Sequence, residues 1–142
     1  MPWLVDGSNV LGAMRVDRHS DAAKGELVKL AASFAKSRHT RLTVVFDGPP
    51  PSVPFRSLGS ANVVFSGSRP ADDIIQERAS GGRGWSVVTA DTGLANRVRG
   101  RHVEIVSPVK FVALLQEHRG EEDGGGEDWA AYFSDPKNRM DF

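Results

Sequence analysis

Asp6, Asp47, Asp72 and Asp91 each follow, directly or after a short turn, an apolar stretch that reads as a β-strand. The stretches are residues 2–5, 42–46, 63–65 and 87–89. In an open parallel α/β sheet, ligands bind beyond the carboxyl ends of the strands. Four carboxylates delivered there repel one another unless a cation sits between them. A hard divalent ion, Mg²⁺ or Mn²⁺, is the simplest such cation because it favours carboxylate and water oxygens. Carboxylates gathered around one point are also what metal-assisted phosphoryl chemistry requires, with bound ions activating water and neutralising charge at the scissile phosphate. Each aspartate has an ordinary reading too: Asp6-Gly7 and Asp47-Gly48 as turns, Asp72 and Asp73 in a helix's first turn, Asp91 as an N-cap. Capping alone does not explain why four strands present a carboxylate on one edge.

The elements that must position these groups follow from the apolar pattern. Residues 2–5 and 42–46 are apolar runs, the second β-branched and continuous as in a strand buried on both faces. Ser20-Asp21 caps a helix over 22–37, where Leu27, Leu30, Ala31 and Phe34 recur every three or four residues. Gly48 and the three prolines after it open a loop reaching about residue 58. A third strand covers 62–65, a helix 70–79, a fourth strand 85–89, a short helix 92–98 and a fifth strand 103–106. Ser107-Pro108 opens a last helix, with Phe111, Val112, Leu114 and Leu115 on its apolar side. The order βαββαβαβα predicts an α/β domain with a mostly parallel five-stranded sheet flanked by helices.

At 142 residues the chain is sized for one domain. No apolar run is long enough to span a bilayer, and the first, four residues ending at Asp6, is too short for a signal peptide. The absence of cysteine excludes disulfides and thiolate metal sites and fits a reducing cytoplasm. No Gly-x-Ser-x-Gly elbow or Walker-type loop is present, and the four histidines lack zinc spacing. Zero net charge hides an asymmetry: residues 1–118 carry +4 and residues 119–142 carry −4. A cationic body suits a polyanionic ligand. Residues 119–128 form an acidic, glycine-rich linker, and residues 129–142 carry Trp129, Tyr132 and Phe133, a motif that docks in cis or binds a protein partner.

The segments Trp3-Leu4-Val5-Asp6-Gly7-Ser8-Asn9-Val10, Val44-Val45-Phe46-Asp47-Gly48, Ala71-Asp72-Asp73-Ile74-Ile75 and Val87-Val88-Thr89-Ala90-Asp91 resemble, in order, the motifs of YacP-type NYN domains in the PIN-like nuclease superfamily. The resemblance spans residues 1–118. It implies a Rossmann-like sheet, an acidic Mg²⁺ or Mn²⁺ centre and hydrolysis of RNA, with RNA, free or on the ribosome, as partner. It makes Asp6, Asp47, Asp72 and Asp91 the metal-binding acids, with Asp73 as an alternative to Asp72 and with Asn9 and Thr89 in support. Ser8 stands where the family often carries an aromatic. Arg15, Arg18, Arg56, Arg69, Arg97 and Arg99 lie in loops expected near the strand ends, where they could hold phosphates, and Phe55 is placed to stack a base. A weakly catalytic or inactive RNA- or ribosome-binding module on the same fold is the alternative.

Overall fold

A computed structural model describes residues 2–51, 59–80, 84–98 and 103–123, with side chains of the last segment described as far as Arg119. Five strands, β1 (Trp3–Asp6), β2 (Leu42–Phe46), β3 (Ala61–Phe65), β4 (Ser86–Val88) and β5 (Glu104–Val106), form one sheet in the order β3-β2-β1-β4-β5. Every pairing is parallel, so the sheet is wholly rather than mostly parallel. Side chains alternate across it as a period of two demands. Trp3, Val5, Leu42, Val44, Phe46 and Val88 enter one core, whereas Leu4, Val45 and Val87 enter the other.

The first core lies under α1 (Gly7–Ala13), α2 (Asp21–Ser37) and α5 (Pro108–Asp123); the second lies under α3 (Ala71–Ser80) and α4 (Thr92–Val98). Trp3, Phe34 and Phe111 join β1, α2 and α5 through ring contacts with centroids 5.4 to 5.6 Å apart. Such pairs add about 0.5–1.5 kcal/mol each beyond area burial. Ser20 caps α2 by accepting from Ala23 N at 3.2 Å, and Ser107 caps α5 by accepting from Lys110 N at 3.1 Å.

Two expectations are corrected. The order βαββαβαβα lacked one helix: between β1 and α2 the chain forms α1, whose Val10 and Leu11 are fully buried. The last helix also continues to Asp123, five residues into the segment expected as linker. The aromatic motif at 129–142 lies outside the described residues.

Candidate metal centre

The strand order places the site. From β1 the chain moves outward to β2 and β3, then returns across β1 to β4, so the direction of winding reverses between β1 and β4. That reversal leaves an open crevice at the carboxyl ends of the two strands. Asp6 ends β1, Asp47 follows β2 and Asp91 follows β4, three adjacent strands. Asp72 arrives from above, in the first turn of α3, which packs over β1 and β2.

Three of the four acids are fixed by a backbone donor. Asp6 Oδ1 accepts from Asn9 N at 3.2 Å, Asp47 Oδ1 from Ala71 N at 2.8 Å, and Asp91 Oδ1 from Leu94 N at 3.0 Å. Capping and site-building are therefore one arrangement. A carboxylate has two oxygens and about four lone-pair directions, so one capping bond orients it and leaves acceptor capacity. The N-termini of α1, α3 and α4 all face this cluster, and their dipoles favour negative charge there.

The cluster nonetheless holds more charge than it can solvate. Burial pushes the Asp6 carboxyl up to about 6, against the lowering effect of its Asn9 bond, and the charges of Asp47 and Asp72 add to the rise. Asp72 is also raised to about 6, by burial first and then by its hydrogen bond to Asp91 and by Asp91 and Asp47 charge; Arg97 opposes this. Asp91 moves the other way, lowered by the same bond and by Leu94 N. The two shifts describe one proton shared between Asp72 and Asp91, carried by Asp72. Among the described residues, no three acidic or histidine side chains yet stand close enough to share an ion as placed. The donor set is all oxygen, matching a hard divalent ion, and a cation could take the place of the shared proton.

Polar scaffolding surrounds the acids. Asn9 Oδ1 accepts from Ala90 N at 2.8 Å and from Thr89 Oγ1 at 3.4 Å, while Thr89 Oγ1 accepts from Asp91 N at 3.0 Å. Asn9 and Thr89 thus tie α1 to the loop that presents Asp91. With its oxygen engaged twice, Asn9 has only its amide nitrogen to offer a water or phosphate. Two residues carry unforeseen jobs. Ser66 Oγ accepts from Gly48 N at 3.1 Å, and Gly67 N donates to Gly48 O at 2.9 Å, locking the loop that aims Asp47 at α3. Gly48 has φ +89°, a backbone state that disfavours side chains. Gly7 is needed for packing: a Cβ there would lie 2.5 Å from Phe46 Cε1. Lys24, on α2, places Nζ 5.7 Å from the centre of the same Phe46 ring. Nothing in its spacing marks Lys24 in the sequence.

The remaining predicted residues separate. Asp73 sits 4.0 Å from Arg69 Nε, whereas Asp72 acts on Asp6 and is hydrogen-bonded to Asp91, which places Asp72 in the cluster. Arg69 is also bound by Glu77, leaving it neutralised on the outer side of α3 rather than free for phosphate. Arg97 is the basic residue that reaches the acids; its Nε donates to Gln76 Oε1 at 2.8 Å, and its charge acts on both Asp72 and Asp91. Arg15 and Arg18 lie past the far end of α1, roughly 10 Å of helix away from Asp6. Phe55, Arg56 and Arg99 lie outside the described residues.

The family model for the YacP-like NYN domain matches residues 3–132. The chain belongs to that family. The YacP-like match runs beyond residue 118 and takes in the acidic tract and Trp129. The crystal structure of Rae1 (YacP) from Bacillus subtilis superposes with a TM-score of 0.74 at 19% identity, covering 87% of this chain and 78% of that one. The W164L mutant of that protein gives 0.69 at 18% identity, covering 98% and 92%. At such identities the likeness is one of fold, here the PIN-like nuclease fold of the NYN family. No curated protein sequence matches the chain.

Proposed function

We propose that this YacP-like NYN domain is a divalent-metal-dependent endoribonuclease that hydrolyses RNA phosphodiester bonds. The observation that carries the reading is the gathering of Asp6, Asp47, Asp72 and Asp91 at one end of the sheet, where burial first, and neighbouring carboxylates second, raise Asp6 and Asp72 to about 6. Near neutral pH the cluster is short of positive charge, and Mg²⁺ or Mn²⁺ meets that need with ligands these four acids would provide. Bound there, a divalent ion supplies Lewis-acid activation of water and neutralises charge on the phosphate. The chain's own groups do the rest. Helix N-termini hold the acids in place, the Asn9 amide nitrogen can donate to a phosphate or water oxygen, and the Arg97 guanidinium flanks the cluster where phosphate charge would enter. In this reading water attacks the phosphodiester in line and no covalent intermediate forms.

The test is cleavage of a mixed single-stranded RNA pool in Mn²⁺, with EDTA and Asp6→Asn as controls. Cleavage should disappear in both controls; a fully active Asp6→Asn variant would exclude the mechanism. The same pool made as DNA decides whether the 2′-hydroxyl matters. One observation favours a second reading, an RNA- or ribosome-binding module with little or no catalysis: no three acids among the described residues share a ligand point as placed. Calorimetric titration with Mn²⁺ separates the two, because a binding module need take up no ion.

A further inference from the structure

The opposite edge of the sheet has the reverse electrostatic character. Lys36, Arg38, His39 and Arg41 fall within six consecutive positions at the turn from α2 to β2. Lys36, His39 and Arg41 border a cleft of about 620 Å³ that is also lined by Pro2, Thr40 and Ser60. Pro2, Arg41 and Ser60 immediately precede β1, β2 and β3, and Trp3 N→Arg41 O and Leu42 N→Ser60 O bonds of 3.0 Å tie these three entries together. The floor of the cleft is therefore rigid sheet backbone. No carboxylate lines it, and among the described residues neither Lys36, Arg38 nor Arg41 has an acidic partner within 4.0 Å. Surface cations usually sit near acids, as Lys29 does with Glu26 and Arg69 with Glu77. Here they do not. Arg38 instead lies over the Phe34 ring, 4.6 Å from its centre, which holds its guanidinium at the helix end. Backbone geometry reinforces the display: His39 adopts φ +53°, closing α2 with Thr40 N→Ala35 O and His39 N→Lys36 O bonds and turning the chain sharply between Lys36 and Arg41.

We infer that the cleft bordered by Lys36, His39 and Arg41 is a second, metal-independent binding site for the phosphodiester backbone of RNA. The inference rests on the nucleic-acid reading above but not on catalysis. Arg41 and Asp47 bracket β2, so the two sites lie roughly 20 Å apart along the strand direction. A phosphate in the cleft cannot also reach the acids. The cleft holds a flanking segment of the RNA while another part enters the metal centre. It supplies affinity where the acidic centre, lacking its cation, repels the ligand.

The experiment measures binding of a short fluorescein-labelled single-stranded RNA by anisotropy, in EDTA, across a series of salt concentrations. The full chain carries Asp6→Asn to prevent cleavage. Adding Lys36→Ala and Arg41→Ala removes two phosphate contacts, each contributing about 0.7 to the slope of log K against log salt. Affinity at ~0.1 M salt should then fall roughly 10- to 30-fold and the slope should flatten by about 1.4. Removing the same charge elsewhere, with Arg78→Ala and Lys110→Ala, should leave both quantities nearly unchanged. All four side chains are exposed, so folding is retained and is checked by circular dichroism. Equal losses for the two pairs, or no loss for either, would overturn the cleft while leaving RNA binding established. RNA binding by none of the proteins, the Asp6→Asn parent included, would overturn the nucleic-acid reading together with the cleft. If the cleft pair lowers affinity yet cleavage fails in Mn²⁺, the cleft stands and the catalytic reading falls.

Discussion

Asp6 sits in the interior at 3% exposure, and a carboxylate so placed is normally a liability. Its folded carboxyl titrates at about 6 against 3.8 for the ordinary group. Between those values the folded chain binds a proton that the unfolded chain has lost. Stability of the metal-free protein should therefore fall as pH rises from about 4 to about 6, then level off, with Asp6 contributing about 2–3 kcal/mol to the fall. Urea unfolding in EDTA at several pH values reads this directly. Asp6→Asn keeps the acceptor for Asn9 N but removes the charge, so it should raise metal-free stability at neutral pH by about 1–3 kcal/mol while abolishing cleavage. Added Mn²⁺ should stabilise the native chain by about 2.7 kcal/mol at one hundred times the dissociation constant, and the Asp6→Asn variant far less. Gly7 belongs to the same neighbourhood. Gly7→Ala pushes a methyl into the Phe46 ring and should lower stability by about 1–3 kcal/mol in a thermal melt, because ring and strand have little room to yield. The four acids were legible as a set because each follows an apolar run. The choice between Asp72 and Asp73 was not, since neighbouring helix positions point about 100° apart and only the fold decides which faces the crevice.

Helix endings show how local chemistry and tertiary packing divide the work. The caps Ser20, Ser107 and Asp91 were readable because a short polar side chain precedes each helix. α1 was not. Its sequence Gly-Ser-Asn-Val-Leu-Gly-Ala has low helix propensity, and the helix exists because Asp6 caps it and Val10 and Leu11 are buried. It closes in a tight motif in which Arg15 N bonds Gly12 O at 3.1 Å and Val16 N bonds Leu11 O at 3.2 Å. Arg15 occupies the left-handed position of that motif, with φ 61°. Arg15→Gly should raise stability by about 0.5–1 kcal/mol, since glycine meets no side-chain strain there; an unchanged denaturation midpoint would count against that account. Thr89 joins the two halves of the site across 80 residues of sequence. Thr89→Val leaves Asp91 N and Asn9 Oδ1 without the hydroxyl and should cost about 1–2 kcal/mol, with a loss of metal affinity in the same variant. Long-range ties of this kind, like the Ser66 clamp on Gly48, leave no periodic trace in a sequence.

At the level of the whole molecule, strand periodicity and chain order were enough to anticipate a parallel α/β sheet. The electrostatic layout was not. Arg69 reads as a free cation until folding places Glu77 one helical turn beyond Asp73 beside it, and Lys36 to Arg41 read as an ordinary surface turn until the sheet edge gathers them round a cleft. Folded, the chain is polarised along its strands, with acids at one end and, at the other, cations that have no acidic partner among the described residues. The polarity makes a kinetic prediction. RNA association measured by stopped flow should slow steeply with added salt, and Lys36→Ala with Arg41→Ala should weaken that dependence more than Arg97→Ala, whose cation is already partly offset by Asp72 and Asp91.

The central placement of β1 also bears on how a growing chain acquires this centre. The first strand to leave the ribosome must wait for Leu42–Phe46 on one side and for Ser86–Val88 on the other. Its acid meets the last of its companions only when Asp91 has emerged and α4 has formed around it. Synthesis therefore delivers the acidic centre late and all at once, and a nascent chain shorter than about 100 residues carries the pieces of the site without the site.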